Sequence, residues 1–250
     1  MQVVVDSLLT AYETEGKGRT VLLLHGWGDR AAGLRGLREA LAAHYKVVSV
    51  DLPGFGGTEA PSNAWGLDDY AQFVAAFLRK TDQKQLAAII GHSNGGAIAI
   101  RGLARGWLAA DKLILLASAG IRGEYKGRVR ALRALTKAGK ALTTPLPATI
   151  KKRLRRKVYT TVGSDMLVAE QLQETFKKVI TDDVRTDAAQ LTLPTLLIYG
   201  EQDESTPVWY GEAFHQAIAD STLEILPGAG HFVHLDRPTE VTRAVTEFLA

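Results

Sequence analysis

The chain has 250 residues, 46% of them apolar and 23% charged, which suits one large α/β domain with a substantial buried core. Cysteine is absent, which excludes disulfides, thiolate metal sites and a cysteine nucleophile. No apolar run reaches the length of a membrane span, and no basic-then-apolar signal pattern opens the chain, so a cytoplasmic location is expected.

Taken in order, Val3-Val4-Val5 and Ala11-Tyr12-Glu13-Thr14, closed by Glu15-Gly16-Lys17-Gly18, have the pattern of an opening antiparallel hairpin or meander. Thr20-Val21-Leu22-Leu23-Leu24 reads as a buried strand ending at His25-Gly26-Trp27-Gly28, and residues 31–44 read as a helix. A strand at 46–50 runs into a glycine-rich loop, Asp51-Leu52-Pro53-Gly54-Phe55-Gly56-Gly57-Thr58. Helical spacing returns over 67–81, where Leu67, Tyr70, Phe73, Val74, Phe77 and Leu78 share one face and Asp68 and Asp69 suit the first turn. An apolar run at 86–90 then leads into Gly91-His92-Ser93-Asn94-Gly95 and about three helical turns of small and aliphatic residues, followed by another buried strand at 112–117.

From about 121 to 190 the strand rhythm stops, and helical patches at 125–142, 149–160 and 164–180 replace it. The net charge of the chain is only +3, yet residues 122–157 carry 13 Lys or Arg against the single acid Glu124. That segment is +12, which leaves −9 for everything else. The rhythm resumes with a strand at 195–199, a helix at 207–219, a strand at 222–226 and a last helix at 238–250. Strands alternating with helices predict an α/β fold: a mostly parallel central sheet with helices on both faces and ligand chemistry at the carboxyl ends of the strands. The expected organisation is a core formed by 1–120 and 191–250, with 121–190 as a helical cap inserted over that edge.

Gly91-His92-Ser93-Asn94-Gly95 matches G-x-S-x-G between a strand and a helix. In that setting the glycines let backbones approach closely while the serine is held in a strained turn at a helix entrance. A serine hydroxyl needs a base, the base an orienting acid, and a developing oxyanion needs donors. His231, in Pro227-Gly228-Ala229-Gly230-His231 after the last strand, is the candidate base, with His234 the second choice. His44 and His215 lie on surface helices, while His25 and His92 read as supports for their turns. Asp203, just past Tyr199-Gly200, is the candidate acid over Glu201 and Glu204; Asp51 precedes the elbow and reads as structural. The backbone N–H groups of Asn94 and Trp27 are the candidate oxyanion donors. This chemistry calls for neither a metal nor a cofactor.

These blocks, in this order and over nearly the whole chain, resemble capped α/β-hydrolases. The resemblance implies the α/β-hydrolase fold and a serine esterase that acts on a small-molecule carboxylic ester through Ser93, His231 and Asp203. Haloalkane dehalogenases and epoxide hydrolases of that superfamily carry an aspartate nucleophile, so Ser93 argues against both. The alternatives are a carbon–carbon bond hydrolase of vinylogous diketones, in which an Asn commonly precedes the serine where this chain has His92, and a non-catalytic hydrolase-like receptor. The basic cap suggests either a solvated helical surface or an acidic partner. For the latter, the resemblance to carrier-dependent methyl-ester hydrolases points to an acyl carrier protein, and the charge equally to an anionic lipid surface. No stacking aromatics interleave with the charges, so nucleic acid is not expected.

Overall fold

The computed structural model describes residues 1–83, 85–122 and 172–250. Eight strands form one sheet: β1 (Gln2–Val5), β2 (Leu8–Glu15), β3 (Thr20–Leu24), β4 (Lys46–Val50), β5 (Leu86–His92), β6 (Ala110–Leu116), β7 (Thr195–Gly200) and β8 (Ser221–Leu226). Their spatial order is β1-β2-β4-β3-β5-β6-β7-β8. β1 and β2 are antiparallel to their neighbours, and every pairing from β4 to β8 is parallel. Parallel strands need crossovers, and the helices that supply them bury both faces of the sheet.

The period-2 alternation of the strands separates two cores. Leu22, Leu24, Ile89, Leu113, Leu115, Leu197 and Tyr199 face one way, onto α2 (Leu67–Lys80), α3 (Asn94–Ala104) and the helix Val208–Ala217. Val21, Leu23, Ile90, Ile114, Leu116, Leu196 and Ile198 face the other way, onto α1 (Arg35–Leu41) and the C-terminal helix Pro238–Leu249. The predicted stripe of α2 is the buried one: Tyr70, Phe73 and Phe77 are among the largest fully buried side chains. Each contributes about 1.5–3 kcal/mol of burial. Asp69 closes the start of this helix by accepting the Gly66 N–H at 2.7 Å.

The expected helix over 31–44 is shorter and begins differently. A 3₁₀ turn at Ala31–Leu34 precedes α1, which ends at Leu41. Of the segment expected as a cap, 123–171 lies outside the described residues, and with it the first two helical patches and all of the basic run except Arg122. The described part holds α4 (Gln173–Thr181) and α5 (Arg185–Ala188). Departure and return lie side by side: Val184 N–H donates to Gly120 O at 2.7 Å, and Arg122 N–H to Asp183 Oδ2 at 3.2 Å. Both lie at the carboxyl end of β6, the edge at which Ser93 stands. No helix among the described residues is long and apolar enough to cross a membrane.

Candidate active site

Ser93 sits between β5 and α3 with φ 50° and ψ −115°, a left-handed backbone that costs a non-glycine residue about 1–3 kcal/mol. The surroundings enforce it. Ser93 N–H donates to Leu116 O at 3.0 Å, and Ser93 O accepts from Gly96 and Ala119, both at 3.0 Å. Glycine is required on both sides of the turn: a Cβ at Gly91 would lie 2.6 Å from the Gly96 backbone, and one at Gly95 would lie 2.3 Å from Leu24 O. The turn therefore holds the serine out at the sheet edge, half-buried and accessible.

β8 ends in the loop that carries His231, and β7 ends in the turn that carries Asp203. The sheet order thus brings together residues 93, 203 and 231. His231 Nε2 lies 3.0 Å from Ser93 Oγ, and His231 Nδ1 lies 2.8 Å from Asp203 Oδ2. Beside a carboxylate Nδ1 carries the hydrogen, which leaves the Nε2 lone pair to accept the Ser93 proton. Asp203 is fully buried at its side chain and His231 is 17% exposed, so the carboxylate is shielded while the imidazole reaches the sheet edge.

Burial raises the Asp203 pKa, but hydrogen bonds from His231 and Thr206 outweigh it and hold the carboxyl below its ordinary value. Its Oδ1 accepts backbone N–H groups of Ser205 at 2.7 Å and Thr206 at 2.9 Å, and its Oδ2 accepts the Thr206 hydroxyl at 2.7 Å. The turn-capping role and the His-orienting role of an Asp at this position are thus filled together. Thr206 is the residue that the sequence reading omitted. Its Oγ1 also lies 3.1 Å from His231 Nδ1 and 3.0 Å from Ala117 O, at the node of the relay. The one available signal was its place three residues past the acid, immediately before Pro207.

The other histidines lie outside the Ser93–His231–Asp203 contact, and His44 falls in the turn after α1 rather than on a helix. His25 Nδ1–H donates to Gly26 O at 2.8 Å and its Nε2 accepts Leu52 N–H at 2.9 Å, so it clamps the Trp27 loop. His92 Nε2–H donates to His231 O at 3.0 Å, and its ring lies tilted 5.0 Å from the His231 ring, which fixes the loop that carries His231. Burial first, and then the neighbouring histidines, depress its pKa. His234 is buried next to His92, 4.8 Å ring to ring, and does not reach Ser93. Burial lowers its pKa to about 4 despite the opposing charge of Asp29. His44 and His215 are exposed, and the His215 Nδ1 lies 2.9 Å from Ser221 Oγ. Asp51 is structural: it accepts backbone N–H groups of Ala31 at 2.6 Å and Gly57 at 2.7 Å. Glu201 is exposed and accepts Gly228 N–H at 2.9 Å, and Glu204 is exposed, so neither competes with Asp203.

Trp27 follows Gly26, whose added Cβ would stand 3.2 Å from Ser93 Cβ. Among the described residues, the backbone N–H groups of Trp27 and Asn94 have no acceptor. Two free backbone donors therefore lie on the residues that adjoin the serine turn. The Trp27 ring packs 4.9 Å from Phe55 and 5.1 Å from Phe176 of α4, forming an aromatic wall on this side. Trp65 stands farther along that wall, against Tyr70 and Phe73, and its N–H donates to Thr175 Oγ1 at 3.1 Å.

A family model described as "Alpha/beta hydrolase family" matches residues 21–244. A 2-hydroxy-6-oxo-6-(2'-aminophenyl)hexa-2,4-dienoic acid hydrolase of Metapseudomonas resinovorans is 27% identical over 96% of this chain and 87% of its own length. A pimeloyl-[acyl-carrier protein] methyl ester esterase of Chromobacterium violaceum is 27% identical over 95% of this chain and 96% of its own. Among solved structures, a serine hydrolase involved in carbazole degradation superposes with a TM-score of 0.76 at 26% identity, covering 100% of this chain and 97% of that one.

Proposed function

Because the chain belongs to the alpha/beta hydrolase family, and a hydrolase is the premise, we propose that it is a serine hydrolase of carboxylic esters working through Ser93, His231 and Asp203. The observation that carries this reading is the continuous relay from Ser93 Oγ through the His231 ring to Asp203, with contacts of 3.0 and 2.8 Å. Ser93 Oγ attacks the acyl carbon while His231 Nε2 takes its proton, and the buried Asp203 carboxylate stabilises the imidazolium that forms. The carbonyl oxygen becomes an oxyanion between the Trp27 and Asn94 N–H groups, each donor being worth about 2.7–4 kcal/mol in the transition state. Collapse breaks the bond to the alkoxy group, which leaves with the proton from His231. Water, deprotonated by the same imidazole, then resolves the acyl-enzyme to the free acid.

The side-by-side ends at Gly120–Arg122 and Asp183–Val184 support reading 121–190 as an inserted cap. The basic run of 122–157 supports an acidic partner there, an acyl carrier or an anionic lipid surface, and a drop in turnover of a carrier-bound or vesicle-borne ester with rising salt would test it. The likeness to the Metapseudomonas hydrolase favours a second reading, cleavage of a carbon–carbon bond in a vinylogous diketone. A p-nitrophenyl ester series from acetate to long acyl chains decides between them. The expected result is turnover by the native chain and a loss of about 10⁴-fold or more in Ser93→Ala. A folded native protein that cleaves no ester but cleaves a diketone would replace the first reading by the second.

A further inference from the structure

At the amino ends of β5 and β6 lies a cavity of about 410 Å³, within the size range of small-molecule sites. Leu86 lines it at the start of β5, and His92 at the other end of that strand precedes Ser93. At the usual strand rise the two ends are about 20 Å apart, so the cavity is separate from the candidate active site. Its walls are anchored on two sides. Ala75, Leu78 and Arg79 line it from the last turns of α2, where i, i+3 and i+4 share one face. Trp107 and Leu108 line it from the turn between α3 and β6, where both backbone N–H groups donate to Gly102 O, at 2.9 and 3.0 Å.

The two polar side chains of the lining differ in what they have left to offer. Gln83 is engaged: its Oε1 accepts the Thr20 hydroxyl at 3.0 Å, and its Nε2 donates to Thr81 O at 2.6 Å. Arg79 is exposed, and among the described residues its guanidinium has no ion-pair or hydrogen-bond partner. No acidic residue lines the cavity to neutralise it.

We propose that this cavity binds a monocarboxylate with an apolar body, its carboxylate on Arg79 and its chain against Leu78, Leu86 and the half-buried Trp107. The ligand chemistry follows from the lining. An apolar chain takes leucine and tryptophan surface out of water, and one anionic head meets the one unengaged cation. A cationic head on the same chain would face Arg79 with like charge. A polyol would set hydroxyls against an apolar wall that cannot bond them. The class includes the free acids that ester hydrolysis would release, but the site does not depend on that reading.

Octanoate is the probe, titrated calorimetrically into the native protein. Acetate supplies the head alone, and octyltrimethylammonium supplies the tail with the opposite charge. Octanoate should bind with a Kd of about 1 mM or tighter, and the other two at least about tenfold more weakly. Arg79→Gln should weaken octanoate about tenfold, the usual worth of a bond to a charged group. Ala109→Trp, at an exposed position in the lining, should block the cavity and remove the same binding event. Both substitutions are on the surface, so each carries the test if the other fails to fold, and circular dichroism checks both. Octanoate binding that the folded variants leave unchanged would place the ligand elsewhere and overturn the proposal. Equal binding of octanoate and the ammonium ion would also overturn it, as would binding of none of the three.

Discussion

Thr206 shows how much of a relay lies outside its three named members. Its hydroxyl has one hydrogen and three neighbours: Asp203 Oδ2 at 2.7 Å, Ala117 O at 3.0 Å and His231 Nδ1 at 3.1 Å. When it donates to Asp203 it draws charge from the oxygen that holds His231. Thr206→Val removes that donor at nearly constant volume, so the carboxylate turns more fully to the imidazole and stabilises its charged form. The hydroxyl also holds carboxylate and ring in place, so the expected outcome is a roughly tenfold fall in kcat, less than the about 10²–10⁴-fold that general acid–base catalysis supplies as a whole. The acid limb of the kcat/KM profile should also move to higher pH. Thr206→Ser should restore both. A merely structural role would lower stability and leave the position of the limb unchanged. The Ser93, Asp203 and His231 positions were readable from strand-end motifs because glycines and short loops mark them. Thr206 was not, since a threonine before a proline has many ordinary uses and only proximity in space singles it out.

At the scale of elements, one arginine joins three segments. Arg101 on α3 pairs with Asp68 of α2, with Asp182 at 2.9 Å and with Asp187 of α5 at 2.8 Å. Its side chain is 9% exposed and that of Asp187 is 4% exposed, so this part of the network is desolvated. Burial alone would lower the Arg101 pKa, and the three carboxylates drive it well above the ordinary value instead. Removing one member of a buried ionic group strands the others, at a cost of about 3–5 kcal/mol. Arg101→Met should therefore lower the Tm by about 10 °C, since each kcal/mol is worth roughly 2–4 °C at this chain length. Thermal denaturation followed by circular dichroism measures it. A change below about 2 °C would mean that the network contributes no net stability. The strand and helix positions on both sides of this node were legible from periodicity. The node itself was not, because its members are 33, 81 and 86 residues from Arg101 in the chain.

For the whole molecule, the buried histidines set the acid limit. His25, His92 and His234 all have pKa values lowered first by burial, that of His234 to about 4. The unfolded chain binds protons at these sites near pH 6.5, before the folded chain does, so stability is full above that pH and falls as the pH drops toward 4. For His234 alone the difference is worth roughly 3 kcal/mol. Asp203, held below its ordinary value, adds a loss only at lower pH, as its carboxyl protonates. Chemical denaturation across pH 4–7 should show this decline, and His234→Phe should flatten it. A stability flat between pH 6.5 and 5 would contradict it.

What the sequence determined by itself was the sheet rhythm, the elbow and the candidate serine, base and acid that the fold then brings together. These are local signals: β-branched and aliphatic runs, glycines where a Cβ cannot fit, and chemistry at strand ends. What only the tertiary structure decided were contacts between distant segments. They include the His92 bond that holds the His231 loop, the Thr206 node and the Arg101 junction. Such relations depend on which strand lies beside which, and that order is fixed by crossovers and packing that no local window of residues contains.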